Sequence, residues 1–201
     1  MIPKLQGLLE EIRELEKKVA DEVTREAGEF GYTVRQGRVS FEQEIAHRHR
    51  EMATRIGAYL ADAPLLFLLT APVIYSLILP LLLLDVFVWI YQLICFPVYR
   101  IPKVKRSDFI VLDLHHLQYL NRIERFNCSY CSYANGLIAY TREVAARSEQ
   151  YWCPIKHARK IRAPHSHYYN FLSYGDCEDY STRLEELRQK FTKESRNKEN
   201  R

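Results

Sequence analysis

The sequence predicts a mostly α-helical chain in three parts. These are an N-terminal amphipathic helical hairpin over residues 1–62, a membrane-embedded helical hairpin over 63–99, and a C-terminal helical cytosolic domain over 100–201. Three observations carry the prediction. Apolar residues recur at three- and four-residue steps near the start, the block from Ala63 to Tyr99 holds the single charge Asp85, and helical periodicity resumes after it.

Residues 4–27 read as the first helix, with Leu5, Leu8, Ile12, Leu15 and Val19 on one stripe and Glu or Lys elsewhere, a short coiled-coil seam. Gly28 ends it. Phe30 to Phe41 alternates weakly through Tyr32, Val34, Val39 and Phe41, as a small hairpin or an extended turn does. A second helix is expected from Phe41 to Leu60, with Phe41, Ile45, Met52, Ile56 and Tyr59 near one face. Antiparallel pairing of the two helices, within one chain or across a dimer, would bury both stripes, so a second copy or another protein is the expected occupant of the seam.

The apolar block of 37 residues would make a rod of about 55 Å, well beyond a hydrocarbon core of roughly 30 Å. It is therefore expected to turn back at Pro80 to Asp85, as a tight two-pass hairpin or a re-entrant wedge, with Asp85 at the tip because the block offers it no basic partner. Arg48, Arg50 and Arg55 precede the block, and Arg100, Lys103, Lys105 and Arg106 follow it. Basic flanks at both ends place both arms on the cytosolic side. The opening MIPKLQGLLEEIRELEKK has no sustained apolar region of the secretory kind, which also keeps the N-terminus cytosolic.

Beyond the block, Asp108 to Asp113 (DFIVLD) reads as a short strand or extended connector. Helices are expected over His115–Phe126 and over Ser129–Gln150, the latter capped by Asn127 and mildly broken at Gly136. Pro154 and Pro164 punctuate the next segment, His165 to Tyr174 is aromatic, and Glu178 to Glu194 forms a polar amphipathic helix.

Charge is divided unevenly. Residues 1–62 hold 10 Lys/Arg against 12 Asp/Glu, whereas residues 100–201 hold 19 against 12. A basic domain held next to an apolar block suits anionic lipid headgroups, and the bilayer is the expected partner in preference to nucleic acid. The run Lys156, Arg159, Lys160 and Arg162, with Tyr151, Trp152, Tyr168 and Tyr169 nearby, reads the same way.

Chemistry is concentrated in the sulfur residues. Five cysteines at uneven spacing argue for thiols kept reduced or bound to metal. Cys128, Cys131, Cys153 and His157 form C-x2-C-x21-C-x3-H, the ligand set of a Cys3His zinc site and one that also suits iron. Two alternatives stand beside it: small apolar residues packed among tyrosines, and thiol redox chemistry activated at a helix start. A thioredoxin-like reading lacks its βαβ context. A helix over Ser129–Gln150 would hold Cys131 and Cys153 about 33 Å apart, so the four ligands meet only if it breaks near Gly136. A second set, Glu124, Glu143, Glu149 and His157 with His115, His116, His165 and His167, lacks any Glu-x-x-His pair and reads more simply as surface charge. No P-loop, dinucleotide fingerprint, G-x-S-x-G or H-E-x-x-H occurs.

In the segments CSYC, EQYWCPIKHA and APVIYSLILPLLLLDVFV the sequence is similar to an uncharacterised family of bacterial inner-membrane proteins that pair an apolar segment with a cysteine-containing cytosolic domain. The resemblance implies an inner-membrane location and treats Cys128, Cys131, Cys153 and His157 as one site. It brings no reaction. The expectation is an integral membrane protein whose cytosolic Cys/His module acts as a binding or regulatory unit. The alternatives are a membrane-associated thiol-redox or metal-dependent enzyme, and a metal-free coiled-coil scaffold.

Overall fold

The computed structural model describes residues 3–35, 38–53, 55–61 and 63–199. Helix α1 spans Pro3–Glu29, strands β1 and β2 span Tyr32–Arg35 and Arg38–Phe41, and α2 and α3 span Gln43–Met52 and Ile56–Ala61. Helices α4 (Leu65–Ser76) and α5 (Ile78–Val98) form the apolar block, followed by α6 (Arg122–Trp152) and α7 (Tyr180–Glu199). The chain is thus mostly α-helical, and it divides into two compact units: Met1–Leu69 with Leu112–Cys131, and Thr70–Val111 with Ser132–Arg201.

In the first unit α1 leads into an antiparallel hairpin with Tyr32 opposite Phe41 and Val34 opposite Val39. Gly31 turns the chain at φ 60°, a conformation glycine adopts freely, and a Cβ there would push the Ile45 side chain aside. The expected helix Phe41–Leu60 is two helices, because Phe41 belongs to the hairpin and Ala53 leaves helical backbone at φ −66°, ψ 120°. The expected pairing of the two N-terminal helices does not cover the α1 stripe: Leu8, Ile12, Leu15, Val19 and Val23 remain 48–63% exposed. What packs on α2 instead is the segment before α6. His49 stands edge-on between Phe41 and Tyr119, at centroid distances of 5.1 and 5.0 Å, and Arg50 donates to the Gln118 side chain at 2.6 Å.

In the second unit the expected reversal at Pro80–Asp85 is absent; these residues lie within α5. Pro80 is the third residue of α5, where a missing N–H is tolerated, so it disturbs the helix one turn upstream instead of ending it. The only interruption between Leu65 and Val98 is Leu77, which keeps right-handed helical backbone at φ −63°, ψ −15°. The reversal comes at Arg100, in the left-handed region at φ 56°. There the Ile101 N–H donates to the Phe96 carbonyl at 2.8 Å and the Arg100 N–H to Pro97 at 3.2 Å, a Schellman cap that drops Phe96 and Ile101 together into the core.

The expected strand Asp108–Asp113 is a 3-10 turn over Arg106–Asp108 followed by irregular chain. It is seated against Gly136, where a Cβ would meet the Phe109 carbonyl oxygen at 2.6 Å and Ile110 Cα at 2.9 Å. Gly136 is therefore a notch for the connector and no helix breaker. The helix expected over His115–Phe126 starts only at Arg122 and runs on into the one expected over Ser129–Gln150 as α6, whose cap is Asn121: Oδ1 accepts from the N–H groups of Ile123 (2.9 Å) and Glu124 (3.0 Å), while Glu124 Oε2 accepts from the Asn121 N–H at 2.8 Å. This is a capping box written N-x-x-E. The core of the unit is Phe96, Ile101, Val104, Leu137, Tyr140 and Val144.

Candidate functional site

Helix α5 turns one face inward. Leu81, Asp85, Val88, Gln92 and Phe96 recur every three or four residues, and the residues they meet lie on the connector and on α6. Gln92 is buried and fully used: its Oε1 accepts from the Val104 N–H at 2.7 Å, and its Nε2 donates to the Val104 carbonyl at 3.2 Å and to the Tyr140 hydroxyl at 3.1 Å. One amide side chain thereby ties the returning connector to both helices, which is how a polar residue is accommodated in an apolar core.

About two turns earlier lies Asp85. Arg106 donates to it through Nε at 3.1 Å and Nη2 at 2.6 Å, the two-pronged geometry of a strong guanidinium–carboxylate pair, and the Tyr133 hydroxyl donates at 2.9 Å. Asp85 is not at the tip of a hairpin, and its basic partner lies outside the apolar block. Arg106 follows Asp85 by 21 residues and Tyr133 follows it by 48. The Schellman turn at Arg100 sends the chain back along α5 and creates this pairing.

Two carboxylate–imidazole pairs hold the loop after α6 against that helix. His167 Nε2 lies 3.1 Å from Glu143 and His165 Nε2 lies 2.9 Å from Glu149, with the rings 6.0 Å apart. Arg147 joins the first pair, donating to Glu143 at 2.8 Å and to the Pro102 and Lys103 carbonyls at 2.8 and 3.1 Å. Burial pushes the Glu143 carboxyl up, but the hydrogen bonds and positive charge of His167 and Arg147 outweigh it and hold the group at about 2. Glu143, Glu149, His165 and His167 are thus structural fasteners, and Glu124 caps a helix. His157 is not with them; its ring stacks on Tyr168 at 6.0 Å and its N–H donates to the Tyr168 hydroxyl at 2.7 Å. The rings of His115 and His116 lie 4.0 Å apart on a 3-10 turn before α6.

Cys128 and Cys131 lie on α6, whose first residue is Arg122, so the free N–H groups of the helix start are not theirs. Cys153 follows the last residue of that helix, with its N–H on the Glu149 carbonyl at 2.9 Å, and His157 sits in the loop beyond. The break expected near Gly136 is absent, and α6 runs through that residue. Cys128 and Cys131 belong to the first compact unit, and Cys153 and His157 to the second. Among the described residues, no group of three or more His, Cys, Asp or Glu side chains is placed to hold a metal ion.

The residues that sequence reasoning missed are Arg106 and Tyr133 as partners of Asp85, Gln92 as a core linker, and Asn121 as the cap. Only the last had a local signal, the N-R-I-E tetrapeptide. The chain matches no protein-family model, no curated protein and no solved structure.

Proposed function

We propose that this chain is a membrane-seated scaffold of the bacterial inner membrane, anchored by α4 and α5, with both arms on the cytosolic face. The N-terminal seam recruits a second copy or another protein. One observation carries the reading: Leu65–Val98 is long and apolar enough to cross a bilayer, and most of its residues are exposed. An exposed apolar surface of that length is untenable in water and at home in lipid. The Arg50–Gln118 hydrogen bond supports a common face for the two arms, because a hydrocarbon layer of roughly 30 Å cannot lie between groups in contact. The uncovered stripe on α1 supports recruitment.

Fractionation tests the anchor. The full chain should stay with membranes through an alkaline carbonate wash and float with liposomes containing phosphatidylglycerol. In sealed inside-out vesicles, protease should remove both the segment around Lys4 and that around Lys193. Recovery of the wild-type chain in the soluble fraction would overturn the anchor, and protection of one arm alone would overturn the topology.

A further inference from the structure

We infer that α5 lies in the plane of one membrane leaflet, with its uncovered face in the acyl chains and α6 as its cover on the aqueous side. The inference rests on the membrane-seated reading and deepens it. At 100° per residue, the inward residues of α5 from Leu81 to Phe96 occupy one narrow arc. Leu79, Leu83, Val86, Phe87, Leu93 and Ile94, each 46–67% exposed, lie on the opposite half of the helix. The helix is two-faced along its length, as a helix lying between water and lipid must be.

The cover decides against a crossing. Asp85 meets Tyr133, Gln92 meets Tyr140, and Tyr99 packs on Trp152 at 4.8 Å, so α6 runs beside α5 in the same direction over this whole length. Between them the connector returns along α5, Val104 opposite Gln92 and Arg106 opposite Asp85. Lys103, Lys105, Ser107 and Asp108 on that connector are exposed. A helix upright in the bilayer would carry those charges and the polar face of α6 down into hydrocarbon, and among the described residues Lys103, Lys105 and Asp108 have no ion-pair partner. Laid flat, the same groups stand at headgroup level, and the exposed Arg100, Lys103 and Lys105 meet anionic phosphates.

The seven-residue spacing of Leu79, Val86 and Leu93 on the lipid face provides the test. The chain has two tryptophans; with Trp89→Phe and Trp152→Phe in place, each of the three positions is replaced singly by Trp in the full chain. The variants are reconstituted in phosphatidylethanolamine–phosphatidylglycerol vesicles whose lipids carry bromine at defined acyl depths. In-plane seating predicts the same depth, within a few ångströms, for all three. A crossing helix predicts steps of about 10 Å between successive positions, and that graded profile overturns the inference while leaving the anchor intact. No quenching at any of the three overturns the anchor itself. Nitroxide labels on single cysteines at the same positions, read by oxygen and nickel accessibility, give the depth independently of the tryptophan replacements.

Discussion

Helices α1 and α6 are close in length, 27 and 31 residues, and each carries an apolar stripe at helical spacing. In α6 the stripe is the heart of a core, with Leu137 and Tyr140 almost inaccessible; in α1 every described member of the stripe faces outward. Periodicity states that a helix has a face to bury, and it is silent about whether the chain supplies the surface that buries it. For α6 the partner is α5 together with the connector that Arg100 sends back along it. For α1 the described members of the stripe stay exposed, and the proposed recruitment surface rests on them.

The comparison can be broken most forcefully at Tyr140. Replacing this buried ring by alanine should lower unfolding free energy by roughly 3–5 kcal/mol in detergent-solubilised protein, measured by denaturant titration. A loss below about 1 kcal/mol would mean that the buried face of α6 is not where the unit is held together.

Glu143 sharpens the comparison through pH. Its carboxyl falls from an ordinary 4.5 to about 2 in the fold. The stabilisation it contributes is therefore fully present above pH 4.5 and is lost as pH falls through about 2. At pH 7 Glu143→Gln should be less stable than the wild type by up to roughly 3 kcal/mol, and the gap should close on acidification. A gap that does not change with pH would show that the carboxylate is not held by His167 and Arg147 as described.

Gly136→Ala comes next. The added methyl has no room against the Phe109 carbonyl and Ile110 backbone, and displacing the connector should cost about 1–3 kcal/mol in the same titration. If the glycine only weakened the helix, alanine would stabilise it.

The smallest folding effect belongs to α1. The double variant Ile12→Asp, Leu15→Asp should change unfolding free energy by less than about 0.5 kcal/mol, since both side chains are exposed. It should nevertheless abolish concentration-dependent cross-linking of the full chain or capture of its partner. Unchanged association would place recruitment elsewhere.

Much of the element order was legible from local pattern. The first helix, the following hairpin and the terminal polar helix correspond to α1, β1–β2 and α7, because three- and four-residue spacing, Gly28 and the alternation around Val34 and Val39 are short-range signals. The apolar block was legible as apolar and helical, and its shape was not. Pro80 and Asp85 look like turn residues until Pro80 proves to sit in a first turn and Asp85 proves to have a partner. Gly136 misled in the same manner, as a residue whose packing reason lies in a segment 26 residues earlier. The spacing of Cys128, Cys131, Cys153 and His157 has the right ligand types, and the break near Gly136 that the reading called for is not there.

The sequence by itself determined that the chain is mostly helical, that Leu65–Val98 carries an apolar surface far larger than the core uses, and that basic charge gathers after it. Those properties follow from periodicity, composition and charge, each readable within a few turns of chain. Only the tertiary structure decided which face of α5 is covered, where Asp85 finds its charge partner, and why Gln92 is buried. Each of these depends on groups brought together by one left-handed residue, Arg100, whose effect is to fold a connector back over a helix it has just left. A backbone reversal of that kind joins residues 12, 21 and 48 positions apart, and no local pattern carries that information.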